Sequence, residues 1–272
     1  MNCTEEERDY LRKLVFAHSA NLMDPARDYF LESRLRAVAR QIGVEGIREL
    51  VALLRRKPEG SLHRTVVEAM TINETSFFRD TTPFALMEKE LIPQLVQARK
   101  TEKRLRFWSA ACSSGQEAHS LAILLASKFP HLAQWDVRIF GTDLSQTMVD
   151  HATSGIYSDL DVSRGLSTAL RDRYATQSDA GWTLYPELRA RCTYARVNLC
   201  APLPLLPVFD GILLRNVMLY LSAEDRLHLL RAMHSHLAQD GFLILGCSEQ
   251  LPPELDIFQM HVKDGAYYYR PR

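Results

Sequence analysis

Apolar residues recur at helical spacing through the first seventy positions. Tyr10, Leu11, Leu14 and Val15 form one stripe, Phe30, Leu31, Leu35 and Val38 a second, and Ile47, Leu50, Val51 and Leu54 a third, which predicts an all-helical unit over residues 1–72. A polar segment, TINETSFFRD at 71–80, and a helix from Pro83 through Leu95 follow. Then the pattern changes. Leu105, Phe107 and Ser109 alternate with other residues and run into small ones, a buried strand ending in a tight turn, after which Leu121, Ala122, Leu124 and Leu125 resume helical spacing. Residues 137–143 and 192–198 read as further strands, and 209–216 as a near-continuous apolar strand buried on both faces. Ser222 opens an amphipathic helix to about Gln239, where Asp240-Gly241 ends it. The stretch 242–247 is another buried strand, and 257–262 with 266–270 make a hairpin through Asp264-Gly265.

Residues 155–191 break this rhythm with short apolar pairs among Gly155, Gly165, Gly181 and Pro186, and read as an inserted helix-and-hairpin unit. The sum is an α/β protein with about seven strands, mostly parallel, the last antiparallel, preceded by a small helical domain.

The chain is organised around RLRFWSAACSSGQE at 104–117. Strand, small-residue loop and helix N-terminus form the opening unit of a nucleotide-binding sheet. The loop holds a single glycine, Gly115, so the GxGxxG fingerprint of dinucleotide sites is absent. A loop of Ala and Ser suits a cofactor without phosphates, such as S-adenosylmethionine. Ser114 and Glu117 have capping-box spacing. Asp143, 28 residues beyond Gly115, falls at the carboxyl end of the second strand, where an acidic residue accepts from ribose hydroxyls; the alternative is an N-cap for the next helix. Phe77 and Phe78 either line a pocket or staple the small domain to the large one, with Asn73, Thr75 and Arg79 as pocket residues or helix caps.

Composition narrows the classes. Hydrophobic residues make up 46% and charged ones 24%, and 33 basic residues balance 33 acidic ones, values of an ordinary globular protein without the charge footprint of a nucleic-acid binder. Residues 27–57 carry eight basic and four acidic residues, a local excess of four; this is a solvated face or a docking surface for an acidic partner. The charged N-terminus has no signal-peptide core and no stretch is long and apolar enough to span a membrane, which predicts a cytoplasmic protein without membrane insertion. Five scattered cysteines without a CxxC pair argue against disulfides and structural zinc, and no metal site is expected.

With these motifs in place, the chain resembles the chemotaxis receptor methyltransferases, which move a methyl group from S-adenosylmethionine to glutamate side chains of chemoreceptors, leaving S-adenosylhomocysteine. The resemblance covers nearly all of the chain and rests on TINETSFFRD, FWSAACSSGQE, FGTDLS, LLRNVMLYLS and GFLILGCSE. It implies a Rossmann-like class I methyltransferase sheet over 83–272 with an inserted antiparallel subdomain at about 155–191, a linker at 73–82 that contributes to the cofactor site, and an N-terminal receptor-docking domain. By the same resemblance Asn73, Thr75 and Arg79 close over the cofactor, with Ala110 at the end of the first strand also at the site. Glu117 meets the methionine amino group and Asp143 the ribose. Asn198-Leu199 lie beside the adenine, Arg215-Asn216 end the fourth strand, and Arg79 and Tyr220 face the incoming glutamate. The family usually has Glu-Glu-Pro-Tyr where Gln116, Glu117, Ala118 and His119 stand, and Cys or Ala at Leu214. Rival readings are a catalytically weak cofactor-binding regulator, a receptor adaptor built on the N-terminal helices, and an NAD-dependent oxidoreductase, which the single-glycine loop disfavours.

In part of that family the inserted sheet captures a C-terminal receptor peptide as an added strand. Here the turn at 177–182 is short and has one glycine, Gly181, leaving little backbone to shape an edge groove. The protein is therefore expected to work without that tether. Titration with a receptor-tail peptide should show no binding; micromolar binding that is lost on mutating the hairpin would contradict this.

Overall fold

The computed structural model describes residues 3–272, apart from the Arg27 side chain; Met1 and Asn2, which open the expected 1–72 unit, lie outside the described residues. Contacts divide the chain into two units, 1–72 with 220–225, and 73–219 with 226–272.

The first unit holds α1 (Glu5–Ser19), α2 (Asp28–Gln41), α3 (Ile47–Arg56) and α4 (Ser61–Ala69). Thr4 and Glu7 form a reciprocal capping box that starts α1, and Ala20 in the left-handed region ends it. The three apolar stripes meet in one core with Leu11, Leu31, Leu35 and Leu50 fully buried, except that Phe30 of the second stripe stays exposed beneath the Arg34 guanidinium. The fourth helix was not separated by periodicity because it follows Gly60 after only a short break. Arg34, expected on a basic face, instead turns its guanidinium onto the carbonyls of Ala69 and Thr71. Much of the local charge excess is paired inside the unit: Arg36 meets Glu32, Arg48 meets Glu7, and Arg55 meets Glu6. Residues 220–225 belong here through Leu22 N–H, which donates to the Tyr220 carbonyl, and an Asn21–Leu221 bridge.

The second unit begins with α5 (Thr81–Leu86), which runs through a π turn at Met87–Leu91 into α6 (Ile92–Ala98). Then come β1 (Arg104–Ala110), α7 (Gln116–Lys128), β2 (Asp136–Asp143) and α8 (Gln146–Ser154). The insertion contains β3 (Ile156–Tyr157), α9 (Asp159–Ser163), α10 (Thr168–Tyr174), β4 (Ala175–Ser178), β5 (Gly181–Leu184) and α11 (Pro186–Arg189). Finally come β6 (Cys192–Arg196), β7 (Phe209–Leu214), α12 (Ala223–Ser235, beginning in the first unit), β8 (Leu237–Leu245), β9 (Phe258–Lys263) and β10 (Ala266–Pro271). The main sheet has the order β6-β2-β1-β7-β8-β10-β9, and the insertion forms a small sheet β3-β5-β4. The first five strands of the main sheet are parallel, and β10 is antiparallel to both β8 and β9. No helix among the described residues is long and apolar enough to cross a membrane.

One expected boundary is corrected. Asp240-Gly241 does not end a helix. α12 stops at Ser235, and β8 starts at Leu237 with a register shift that takes 238–241 out of the ladder. Asp240 in this bulge receives both terminal nitrogens of Arg99 at 2.7 and 2.6 Å, and a Cβ at Gly241 would lie 2.8 Å from the Asp210 carbonyl. Turn chemistry was present, but a bulge uses the same residues.

The insertion is locked to α7 and the loop before it by a buried polar chain. Tyr157 Oη donates to the Ser114 carbonyl at 2.9 Å, so His119 Nδ1 carries the proton shared with Tyr157 at 2.6 Å, and Nε2 accepts from Tyr194 Oη at 3.1 Å. His119 is fully buried and burial drives its pKa down to about 3, so it is neutral. A second lock is steric. Gly165, with φ +93°, lies so close to the linker that an added Cβ would sit 1.8 Å from the Phe77 carbonyl oxygen.

Because the unfolded imidazole titrates near its ordinary value while the folded one does not until about pH 3, the stability His119 contributes is complete above that ordinary value and is lost as pH falls toward the folded one. In His119→Phe the overall stability should drop, but unfolding should take up about one proton fewer between roughly pH 6 and 4. Denaturant titrations across that range check this; an unchanged pH slope would contradict it.

Candidate functional site

The site follows from strand order. β1 lies between β2 and β7, so the connections on its two sides leave in opposite directions and open a crevice at its carboxyl end. Ala110 pairs with Thr142 on one side and Leu214 on the other. Asp143 and Arg215 therefore follow it by one residue at the same edge, and Asp143 itself pairs with Arg196.

The turn from β1 to α7 is wound by alternate left-handed residues, Ala111 (φ 59°), Ser113 (φ 50°) and Gly115 (φ 90°). Only at the last is glycine required by space as well: a Cβ there would lie 2.7 Å from the Ala152 side chain. The expected capping box at Ser114–Glu117 does not form. The N-cap is Gly115, which offers no side chain, and Ser114 Oγ bonds Gln116 Oε1 at 2.8 Å. Glu117 is thereby freed to point into the site.

Glu117 accepts from Ser109 Oγ at 2.7 Å on one oxygen and from Arg215 Nη1 at 2.8 Å on the other. The Arg215 side chain is 2% exposed; its Nη2 donates to the Arg79 carbonyl at 2.7 Å and to Asp80 Oδ2 at 2.9 Å, while Nε has no partner among the described residues. A single buried guanidinium thus ties the helix after β1, the end of β7 and the 73–80 segment. Asp143 does the same for the loop. Its Oδ2 accepts from Ser113 N–H at 2.8 Å and its Oδ1 from Ser145 N–H at 2.9 Å, while Ser113 Oγ donates to the Asn73 carbonyl at 2.7 Å. Ser145 is the N-cap of α8, so Asp143 braces that cap and is not the cap itself. Cys112 between these carboxylates is buried, and its thiol is pushed well above the usual range by burial first and then by Asp143 and Glu117; it is no nucleophile.

The remaining expected residues fall as follows. Val197 N–H donates to the Asp143 carbonyl at 2.9 Å, which brings Asn198 and the buried Leu199 to the same edge. Asn198 Oδ1 caps Cys200 N–H at 3.0 Å. Asn216 follows Arg215 with φ 61°. Thr75 and Arg79 are half-buried, and Arg79 Nη1 donates to the Glu74 carbonyl at 2.9 Å. Tyr220 ends a short 3-10 helix, Met218–Tyr220, and groups with the first unit. Sequence reasoning missed Ser109 and Asp80. Both stood inside motifs already singled out, but a strand serine and a linker aspartate announce no partner until β7 brings Arg215 to them.

Comparisons with known proteins give the family. Residues 73–266 match the family model described as "CheR methyltransferase, SAM binding domain". The chain is 37% identical over 243 residues to "Chemotaxis protein methyltransferase Cher2" of Pseudomonas putida, covering 88% of each chain. It is 38% identical over 250 residues to "Chemotaxis protein methyltransferase 1" of Pseudomonas aeruginosa, covering 90% of each. With "Chemotaxis protein methyltransferase 1" of Vibrio cholerae it shares 31% over 260 residues, 94% of this chain and 93% of that one. The donor set suits S-adenosylmethionine: a carboxylate, Asp143, for a ribose diol, and Glu117 with lone pairs left for an ammonium.

Asp143→Ala should weaken S-adenosylhomocysteine binding by about 1.5–3 kcal/mol or more, since it removes a charge-assisted acceptor and also frees Ser113. Calorimetric titration checks this; unchanged affinity would contradict the assignment.

Proposed function

Because the chain belongs to the CheR methyltransferase family, we propose that it transfers the methyl group of S-adenosylmethionine to glutamate side chains of chemoreceptors, forming methyl esters. The observation that supports the reading most directly is the convergence of Ala110, Asp143 and Arg215 at one sheet edge, tied through Arg215 to the 73–80 segment. When bound, the cofactor supplies a methyl on a cationic sulfur, which a carboxylate oxygen displaces as the carbon–sulfur bond breaks and its electron pair returns to sulfur. A glutamate carboxylate, with a reference pKa of about 4.3, is ionised at neutral pH, so no residue of this chain has to remove a proton. That agrees with His119, the histidine nearest the loop in sequence, having both ring nitrogens occupied by the Tyr157 and Tyr194 hydroxyls.

The chain's own contribution is then orientation, which supplies roughly 7–11 kcal/mol in well-aligned systems. Arg79 is assigned the clamp on the acceptor carboxylate, whose plane a guanidinium matches, and Tyr220 the hydroxyl that holds one oxygen while the other attacks. Residues 73–82 serve as a linker that completes the cofactor site, and 83–272 as the catalytic domain. The decisive experiment is transfer of labelled methyl into receptor cytoplasmic domains. Label that alkali releases as methanol is expected, with turnover strongly reduced in Arg79→Ala; alkali-stable label, or none, would overturn the reading.

The helical unit is proposed to dock the receptor. With Arg34 committed internally, the exposed Arg36 and Arg40 are the basic positions to test. Reversing both to Glu should slow receptor association and flatten its salt dependence, because exposed charges are screened over about 8 Å at physiological salt. Cofactor affinity should stay the same. Unaltered association kinetics would show that this face does not meet the receptor.

A further inference from the structure

Another buried carboxylate stands outside the chemistry above. Glu249, in the loop after β8, is 6% exposed. Its Oε2 accepts from Asn216 N–H at 2.7 Å and Gly246 N–H at 2.8 Å, and its Oε1 from Val217 N–H at 2.8 Å and Met218 N–H at 2.7 Å. Four backbone N–H groups converge on it, and their dipoles stand where a counterion would.

Three of those donors are consecutive. β7 ends at Leu214, so Asn216, Val217 and Met218 have left the ladder, and Asn216 is held in the left-handed region. Buried N–H groups without acceptors are costly. The course of this segment therefore depends on one side chain that arrives from the far end of the next strand. Space enforces the arrangement. A Cβ at Gly246 would lie 2.7 Å from Glu249 Oε2 and 2.9 Å from Asn216 N. Immediately before the segment stands Arg215, whose guanidinium holds Glu117 and Asp80. Immediately after it, the 3-10 helix ends at Tyr220.

We propose that Glu249 is a positioning residue for methyl transfer: by gathering the N–H groups of 216–218 it sets the turn that leaves Arg215, whose guanidinium holds the segment carrying Arg79. This rests on the proposed function, in which Arg79 meets the acceptor. Glu249→Gln keeps the volume but replaces one acceptor oxygen by an amide N–H₂ facing N–H donors. Glu249→Asp keeps both oxygens and the charge on a shorter stem.

The test measures kcat, KM for receptor and cofactor, S-adenosylhomocysteine affinity, and amide exchange at 216–218 for the wild type and both variants. Glu249→Gln should exchange faster at 216–218 and lose about 10- to 100-fold in kcat, the scale of a small misplacement at a reacting centre, with cofactor affinity within about threefold. Glu249→Asp should recover part of kcat. Unchanged kcat and exchange in Glu249→Gln would overturn the proposal, as would cofactor affinity falling by the same factor as kcat. If Glu249→Gln does not fold, Gly246→Ala, which presses on the same carboxylate, is measured against the same expectations. A wild type that methylates no receptor overturns the functional reading instead, and amide exchange then still decides whether Glu249 holds the segment.

Discussion

The second unit depends on one buried guanidinium. Taking Arg215 out of water is expensive, and the cost is offset only because Glu117, Asp80 and the Arg79 carbonyl surround it with acceptors. Removing the guanidinium leaves Glu117 as a buried carboxylate with only Ser109 beside it, a loss on the scale of about 3–5 kcal/mol. The same three bonds decide function. Glu117 opens the helix after the cofactor loop, Arg215 ends β7, and Asp80 belongs to the segment that carries Arg79. An ion cluster that is poor value for stability alone earns its place by joining these three pieces.

Around that cluster, several buried polar groups tie one element to another. The His119 chain joins the insertion to the Ser114 carbonyl, Gly165 lets the insertion reach the Phe77 carbonyl, and Asp143 holds Ser113 and Ser145. The insertion therefore braces the loop and the linker directly. Its hairpin turns within two residues, 179 and 180, between the paired Ser178 and Gly181, and Gly181 packs so closely that a Cβ would lie 2.6 Å from the Tyr157 carbonyl.

Much of this was legible in the sequence because burial imposes periodicity. The strand Phe209–Leu214, buried at every position, reads as an apolar run, and the Asp264-Gly265 turn, both residues at positive φ, reads as a hairpin. What was not legible depends on partners distant in sequence. Ser114 and Glu117 have capping-box spacing, yet the tight left-handed turn moves the helix start to Gly115, and Glu117 pairs with a residue 98 positions away. Arg34 looked like surface charge because nothing local marks the carbonyls of Ala69 and Thr71 as its partners. Glu249 lay inside a quoted motif, but a carboxylate three of whose N–H donors stand 31 to 33 positions away in the chain has no local signature.

The central claim is that Arg215 makes the cofactor loop and the 73–80 segment a single site. Amide hydrogen exchange with and without saturating S-adenosylhomocysteine tests it most directly, comparing wild type with Asp80→Asn. The account predicts that ligand slows exchange in both 110–117 and 73–80 of the wild type, and that in Asp80→Asn protection persists in the loop but fades in 73–80. Equal protection of both segments in both proteins would contradict it.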